Sequence, residues 1–287
     1  MILNWRVPAN HQYDNLRYYF SALSPSLYVA IIYVWNNSSS ATYVKQKKKY
    51  GDSLGCVVKV FGQEDYPLYD CDTIIQTIDD CNDDQHCLWI LVQFPLPDYL
   101  QKDMSKILQA VVWYKDIDAL GGLVQAKLAQ RNDTFLPATA KAVCDLLVWY
   151  NNMPVPGDTI TILGQSQLVW YPLANEFIRL WITVISINKF TPIDTTIESC
   201  LSSSHIISCT WDLLFFDDKF VRTDQTQTVI DVWRWKYQWK PVGDVQIDTI
   251  KDKVAHYSPV PWGVWPMTIS SLFANIKQLY NYALKLA

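Results

Sequence analysis

Four short runs dominate the second half of the chain: TITIL at 159–163, TVISI at 183–187, HIISC at 205–209 and TVIDV at 228–232. Each is a near-continuous stretch of apolar and β-branched residues. Such runs suit strands of a parallel sheet covered on both faces. Parallel neighbours need a crossover, and YPLANEFIRLW at 171–181 supplies a helix with Pro172 in its first turn. Strand, helix, strand at this spacing is a βαβ unit.

The first half alternates in the same way. SLYVAIIYV (26–34), VVKVF (57–61) and LWILVQF (88–94) read as strands, the last closed by PLP. Helices are expected over 41–55, 71–82, 98–112 and 139–152, and an amphipathic one over 268–286. The fold class expected is α/β in two domains. One lobe spans 1–138 and is completed by the C-terminal helix, 268–287, packing back on it; a Rossmann-like domain spans 139–267. The stretch SPVPWGVWPMT (258–268), with three prolines, reads as a loop.

Charge and composition exclude several classes. The 287 residues carry a net charge of −4, which makes no case for nucleic acid, and the cluster Lys45, Lys47, Lys48, Lys49 is too short to alter that. No run approaches the ~18 apolar residues of a membrane span, and the opening MILNWRVPAN lacks the apolar core of a signal peptide. The seven cysteines include no CxxC pair and read as reduced thiols, so a cytoplasmic location is expected. His11, His86, His205 and His256 are scattered, and no metal site is expected.

Several residues carry possible chemistry. Tyr43 and Lys47 are four apart on one expected helix and share a face. A lysine can move protons only where burial or a neighbour lowers its pKa; otherwise Lys47 is one of four lysines on a solvated face. Gln93 ends a strand, where open α/β sheets place ligands, though a loop hydrogen bond would also explain it. Asp118, in KDID, could accept a forked pair of N–H groups or serve as a helix cap. Ser40, three before Tyr43, has a sufficient structural job as N-cap. Gly164, Gln165 and Ser166 lie between a strand and a helix, a turn that points backbone N–H groups at a phosphate.

Together SSSATYVKQK, LVQFPLP, KDID, FLPAT, LGQSQLVWYPL, VIDV, VGDV and PVPWGVWPMT resemble the bifunctional methylenetetrahydrofolate dehydrogenase/cyclohydrolase family, in order and spacing over nearly the whole chain. The resemblance implies oxidation of 5,10-methylenetetrahydrofolate with NADP, or NAD, then hydrolysis of the methenyl product to 10-formyltetrahydrofolate. It implies a folate-binding catalytic lobe and an NAD(P)-binding domain, tetrahydrofolate derivatives as partners, and a homodimer. Lys47 would handle protons, Gln93 would hold it, Tyr43 would line the folate site and Asp118 would bind the pterin. Ser40, Pro261 and Val264 would complete the substrate site. Gly164, Gln165, Ser166, Lys189, Arg234 and Thr268 would bind the cofactor, and the loop 259–268 would cap both sites. A single-activity enzyme and a non-catalytic folate-binding relative are the alternatives.

The departures matter. The family's common arginine is Gln165 here, which leaves NAD against NADP open. The usual Cys-His-Ser reads Ile187, Asn188, Lys189, and Lys189 serves either a phosphate or solvent. The family's Cys-Thr-Pro-x-Gly reads Ala138, Thr139, Ala140, Lys141, Ala142. Above all, tryptophan stands at ten family glycine positions: Trp5, Trp35, Trp89, Trp170, Trp181, Trp211, Trp233, Trp239, Trp262 and Trp265. The chain has 13 tryptophans and only 9 glycines, against ~20 glycines at ordinary usage. Ten further glycines would close that gap. Either the cofactor site is blocked in a degenerate relative, or the ten codons are TGA, which some bacterial lineages read as glycine. Decay would scatter many residue types and strike Tyr43, Lys47, Gln93 and Asp118 as well. The expectation is therefore glycine.

Overall fold

A computed structural model describes residues 1–24, 26–34, 38–62, 68, 70–129, 135–210, 212–233, 235–237, 240–261 and 263–286. Trp35, Trp211, Trp239, Trp262 and the expected cofactor ligand Arg234 lie outside the described residues. The chain forms two compact units, each discontinuous in sequence. One comprises His11–Ala138 with Leu272–Ala287, the other Met1–Asn10 with Thr139–Ser271.

The helix α1 (Arg6–Ser21) leads into β1 (Tyr28–Ile32), α2 (Ser38–Leu54), β2 (Val57–Phe61), α3 (Cys71–Asp83) and β3 (Cys87–Val92). These strands make a parallel sheet in the order β2-β1-β3. Every residue of the central strand YVAII is buried, as expected for a strand covered on both faces. Ala30 and Ile32 share one core with Ile74 and Ile78 of α3 and Ile90 of β3. Asp70 caps α3 by accepting from the Thr73 N–H at 2.8 Å.

The helix expected over 98–112 is a 3-10 turn, Asp98–Asp103, followed by α4 (Met104–Ala110). After α5 (Gly122–Ala129), α6 (Ala138–Trp149) enters the second unit. There β4 (Thr159–Leu163), α7 (Trp170–Arg179), β5 (Thr183–Ile187), α8 (Ile193–Ser202), β6 (His205–Ser208) and β7 (Thr228–Asp231) follow, then the pair β8 (Trp235–Tyr237) and β9 (Lys240–Val242). After α9 (Ile247–Ile250) comes β10 (His256–Ser258), and the parallel sheet order is β10-β7-β6-β4-β5. The strands are added outward from β4 on both sides, β5 on one and β6 then β7 on the other, and this reversal of strand order is the doubly wound pattern of open α/β sheets.

Two local expectations are corrected. The helix α10 begins at Val264, so the end of SPVPWGVWPMT is helical; Pro266 falls in a first turn, whose N–H groups need no helical partner. Ser40 lies inside α2, which starts at Ser38, and therefore is not its N-cap.

The end of α7 bears on the tryptophans. The Ile182 N–H donates to the Phe177 carbonyl at 3.0 Å and the Trp181 N–H to that of Ile178 at 3.1 Å. This is the bonding of a Schellman cap, with Trp181 in the left-handed position at φ 64. Glycine is the usual residue there, because a Cβ in that conformation costs ~1–2 kcal/mol. The indole is also 72% exposed. Trp181→Gly is expected to raise stability by about 1 kcal/mol, seen as a higher thermal unfolding midpoint.

Candidate active site

Among the four clustered lysines, Lys47 alone points inward. It is 9% exposed and lies three residues after the buried Val44, whereas Lys45, Lys48 and Lys49 face solvent. Its position in α2 puts it one face-length from Ser40, itself 2% exposed, and Tyr43 is on the same side of the helix. The Lys47 Nζ donates to Gln93 Oε1 at 2.9 Å. Gln93 follows β3 directly, its N–H bonded to the Ile32 carbonyl of β1 at 2.8 Å. Its own Nε2 donates to the Phe94 carbonyl, which turns Oε1 toward the lysine. The amide is thus fixed at the carboxyl end of two parallel strands.

Asp118 completes the group from a third segment. A bridge between Ile90 and Asp116 continues the β3 edge, and Asp118 lies two residues beyond it. Its carboxylate accepts the Ala138 backbone N–H. Burial pushes the Lys47 ammonium below the usual lysine range, and the nearby Asp118 charge opposes that effect. Burial in turn raises Asp118, opposed first by Lys47 and then by the Ala138 N–H. Asp116 is raised further, to about 7, mainly by burial, with the Gly121 N–H and the Asp118 charge acting in opposite directions. One segment therefore holds two buried carboxyl groups, with the lysine beside the outer one.

The sign of the Lys47–Asp118 coupling gives a prediction. Asp118→Asn removes the charge that supports the ammonium, so Lys47 loses its proton more readily. The acid limb of the pH–rate profile is expected to move down by ~1–3 pH units. An unmoved limb would separate the two residues.

The cofactor candidates lie in the other unit. Gly164, at the end of β4, has φ 98, and a Cβ there would come within 2.2 Å of the Cys209 carbonyl. The Gln165 Nε2 donates to Ser186 Oγ of β5 at 2.7 Å. The Ser166 Oγ accepts the Val169 N–H at 3.1 Å, capping the turn into α7. Gly164, Gln165 and Ser166 are therefore brought together at the ligand-binding end of the sheet. Lys189 is exposed, its Nζ 5.0 Å from the Phe190 ring centre. Pro261 precedes α10, Val264 opens it fully buried, and Thr268 donates to the Val264 carbonyl at 3.4 Å.

The turn runs into a bulky residue. Trp170 opens α7, where backbone N–H groups would face a phosphate. Its indole N–H is buried and has no hydrogen-bond partner among the described residues, and the same holds for Trp5. A buried tryptophan N–H normally finds one. Trp89 differs: its ring packs fully buried against Phe20 and Tyr280, each with centroids 6.2 Å away.

Sequence reading missed a second carboxylate pair beneath this site. Asp244 accepts from Ser208 Oγ, the Thr210 N–H and Thr210 Oγ1 at 2.9–3.1 Å, fixing the loop after β6. Asp231, ending β7, accepts the Asp244 and Val245 N–H groups. Burial, with the Asp244 charge second, holds Asp231 well above the usual carboxylate range. The only signal was an aspartate inside each of two apolar motifs, VIDV and VGDV.

Two family models match the chain. The one described as tetrahydrofolate dehydrogenase/cyclohydrolase, catalytic domain, covers residues 11–118, and that described as the NAD(P)-binding domain covers 137–284. The bifunctional protein FolD of Acholeplasma laidlawii is 30% identical over 284 residues, covering 98% of both chains. That of Thermoplasma volcanium is 31% identical over 261 residues, 91% of this chain and 88% of its own. Among solved structures, the bifunctional methylenetetrahydrofolate dehydrogenase/cyclohydrolase of Campylobacter jejuni superposes with a TM-score of 0.89 at 27% identity, over 98% of this chain and 99% of its own.

Proposed function

The chain belongs to the tetrahydrofolate dehydrogenase/cyclohydrolase family, and from that premise we infer how its own residues carry the two reactions. It is an enzyme that oxidises 5,10-methylenetetrahydrofolate with NAD(P) and hydrolyses the methenyl product to 10-formyltetrahydrofolate. The observation that carries the site assignment is the buried Lys47 bonded to Gln93 with the Asp118 charge beside it. In the hydrolysis, water adds to the bridging carbon and Lys47 takes its proton. The bond from that carbon to N5 then breaks as the remaining hydroxyl proton passes to N5, leaving the formyl group on N10. A lysine whose pKa is lowered by burial is suited to that transfer. Gln93 keeps the Nζ aimed, and Asp118 accepts pterin N–H groups. Tyr43 and Ser40 line the same helix face, with Pro261 and Val264 as further substrate contacts. The cofactor, when bound, supplies the hydride acceptor; Gly164, Gln165 and Ser166 hold its phosphates, with Lys189, Arg234 and Thr268 as further ligands. The folate lobe is taken as 1–138 with 268–287 and the cofactor domain as 139–267, and the active species as a cytoplasmic homodimer using NADP, or NAD.

The cofactor half requires a small residue at 170, and we extend the reading to the other nine positions: the polypeptide made in its own host carries glycine there. Support comes from the Schellman cap at Trp181 and from the indole N–H groups of Trp5 and Trp170, which have no partner among the described residues. The buried packing of Trp89 is the observation on the other side. Should tryptophan be the true residue at 170, the chain would bind folate without dehydrogenase turnover. Assaying hydride transfer with NADP and with NAD, beside binding of a methenyltetrahydrofolate, distinguishes the bifunctional enzyme from that relative. Folate binding with neither cofactor reduced would overturn the dehydrogenase assignment.

A further inference from the structure

Asn275, deep in α10, is fully buried. Its Nδ2 donates to two backbone carbonyls, Ile117 at 3.0 Å and Leu136 at 2.8 Å. Neither carbonyl is in regular secondary structure, and the residues are 158 and 139 positions away in sequence. The first belongs to the peptide that leads directly into Asp118. The second lies two residues before Ala138, whose N–H binds the Asp118 carboxylate. One side-chain amide thus spans both segments that fix Asp118, its backbone on one side and its N–H donor on the other.

We propose that Asn275 is a positioning residue for Asp118, holding that carboxylate where it meets both the pterin and Lys47. The Ile117 N–H is tied to the Ile90 carbonyl at 3.3 Å, so the β3 edge anchors the segment up to residue 117. Beyond that point the Ala119 N–H returns to Asp116, within the same turn, its carbonyl 3.3 Å away. The Asn275 amide is a long-range side-chain tie next to the functional residue. Both carbonyls take their donor from one planar NH2 group, which fixes their separation as well as their direction. An apolar side chain of similar size would fill the space but leave two buried acceptors unpaired.

The inference rests on the reading of Asp118 as pterin ligand and charge partner of Lys47. It also predicts a readout that loss of packing alone does not give. The charged groups facing Lys47 and Asp118 are each other and Asp116, and the two carboxylates ride on the segment that Asn275 holds through the Ile117 carbonyl. Asn275→Ala and Asn275→Asp both remove the double donor, and the second nearly keeps the side-chain volume. Each is expected to raise KM for the folate by ~10–100-fold and to shift the acid limb of the cyclohydrolase pH profile downward, as Asp118→Asn does. In the double variant with Asp118→Asn the two effects should not add. An unchanged KM and pH limb in folded Asn275 variants would overturn the proposal. So would additive effects, or loss of soluble folded protein in both variants, since either outcome makes the residue merely structural. If Asp118→Asn itself leaves KM and the limb unmoved, the failure lies with the Asp118 reading instead.

Discussion

Replacing Lys47 by methionine is expected to lower the cyclohydrolase rate by ~10²–10⁴-fold, the usual contribution of a placed acid–base group. Folding stability should hold or rise. The lysine is 9% exposed and burial pushes its pKa down, so the native state is carrying a group that would rather be solvated. A thioether of similar length removes that cost and keeps the packing. Loss of activity beside an unchanged or higher unfolding midpoint is the signature of a residue kept for chemistry. Lys47→Arg keeps the charge but cannot give up its proton in the working range. It should be as inactive as the methionine variant, which separates proton transfer from simple charge. Full activity in Lys47→Arg would refute proton transfer by this residue.

The second large effect concerns residue 170. A protein synthesised with tryptophan there is expected to bind NADP at least ~100-fold more weakly than one with glycine, the penalty for forcing a ring into space a ligand needs. Calorimetric titration of the two proteins measures this without reference to turnover. Protein purified from its own host should give peptides lighter by one indole side chain at each of the ten positions, and the gene should read TGA there. Peptides bearing intact tryptophan at most of the ten would end the idea. Trp89 is the most informative single peptide, because there the fold houses the ring and structure alone gives no reason to expect glycine.

How much of this could be read from the chain follows from the range of the interactions involved. The strands were legible because TITIL or VVKVF declare themselves by local composition, and both parallel sheets form from them. The helix α1 was not, because RVPANHQYDNLRYYFS mixes polar residues around every turn and puts a proline near its start. Lys47 looked like one of a solvated cluster; only its face, shared with Val44 and Ser40, shows which lysine turns inward. The Lys47–Gln93 bond spans 46 residues, and the role of Asp118 entered through family likeness rather than spacing. Asn275 and Asp244 were hard to read for a related reason: their partners lie far away along the chain, and the backbone carbonyls that Asn275 meets, like the Thr210 N–H that Asp244 meets, leave no mark in a sequence.

The interleaving of the two units bears on how the protein is made. The folate-side sheet emerges from the ribosome early, yet its unit takes in residues 272 onward, including Phe273 against Phe20 and Asn275 against Ile117. That unit cannot finish folding until translation has delivered the last helix. Until then its apolar seat for α10 stands open to chaperones, and a ribosome stalled before codon 272 would release a half-built catalytic lobe.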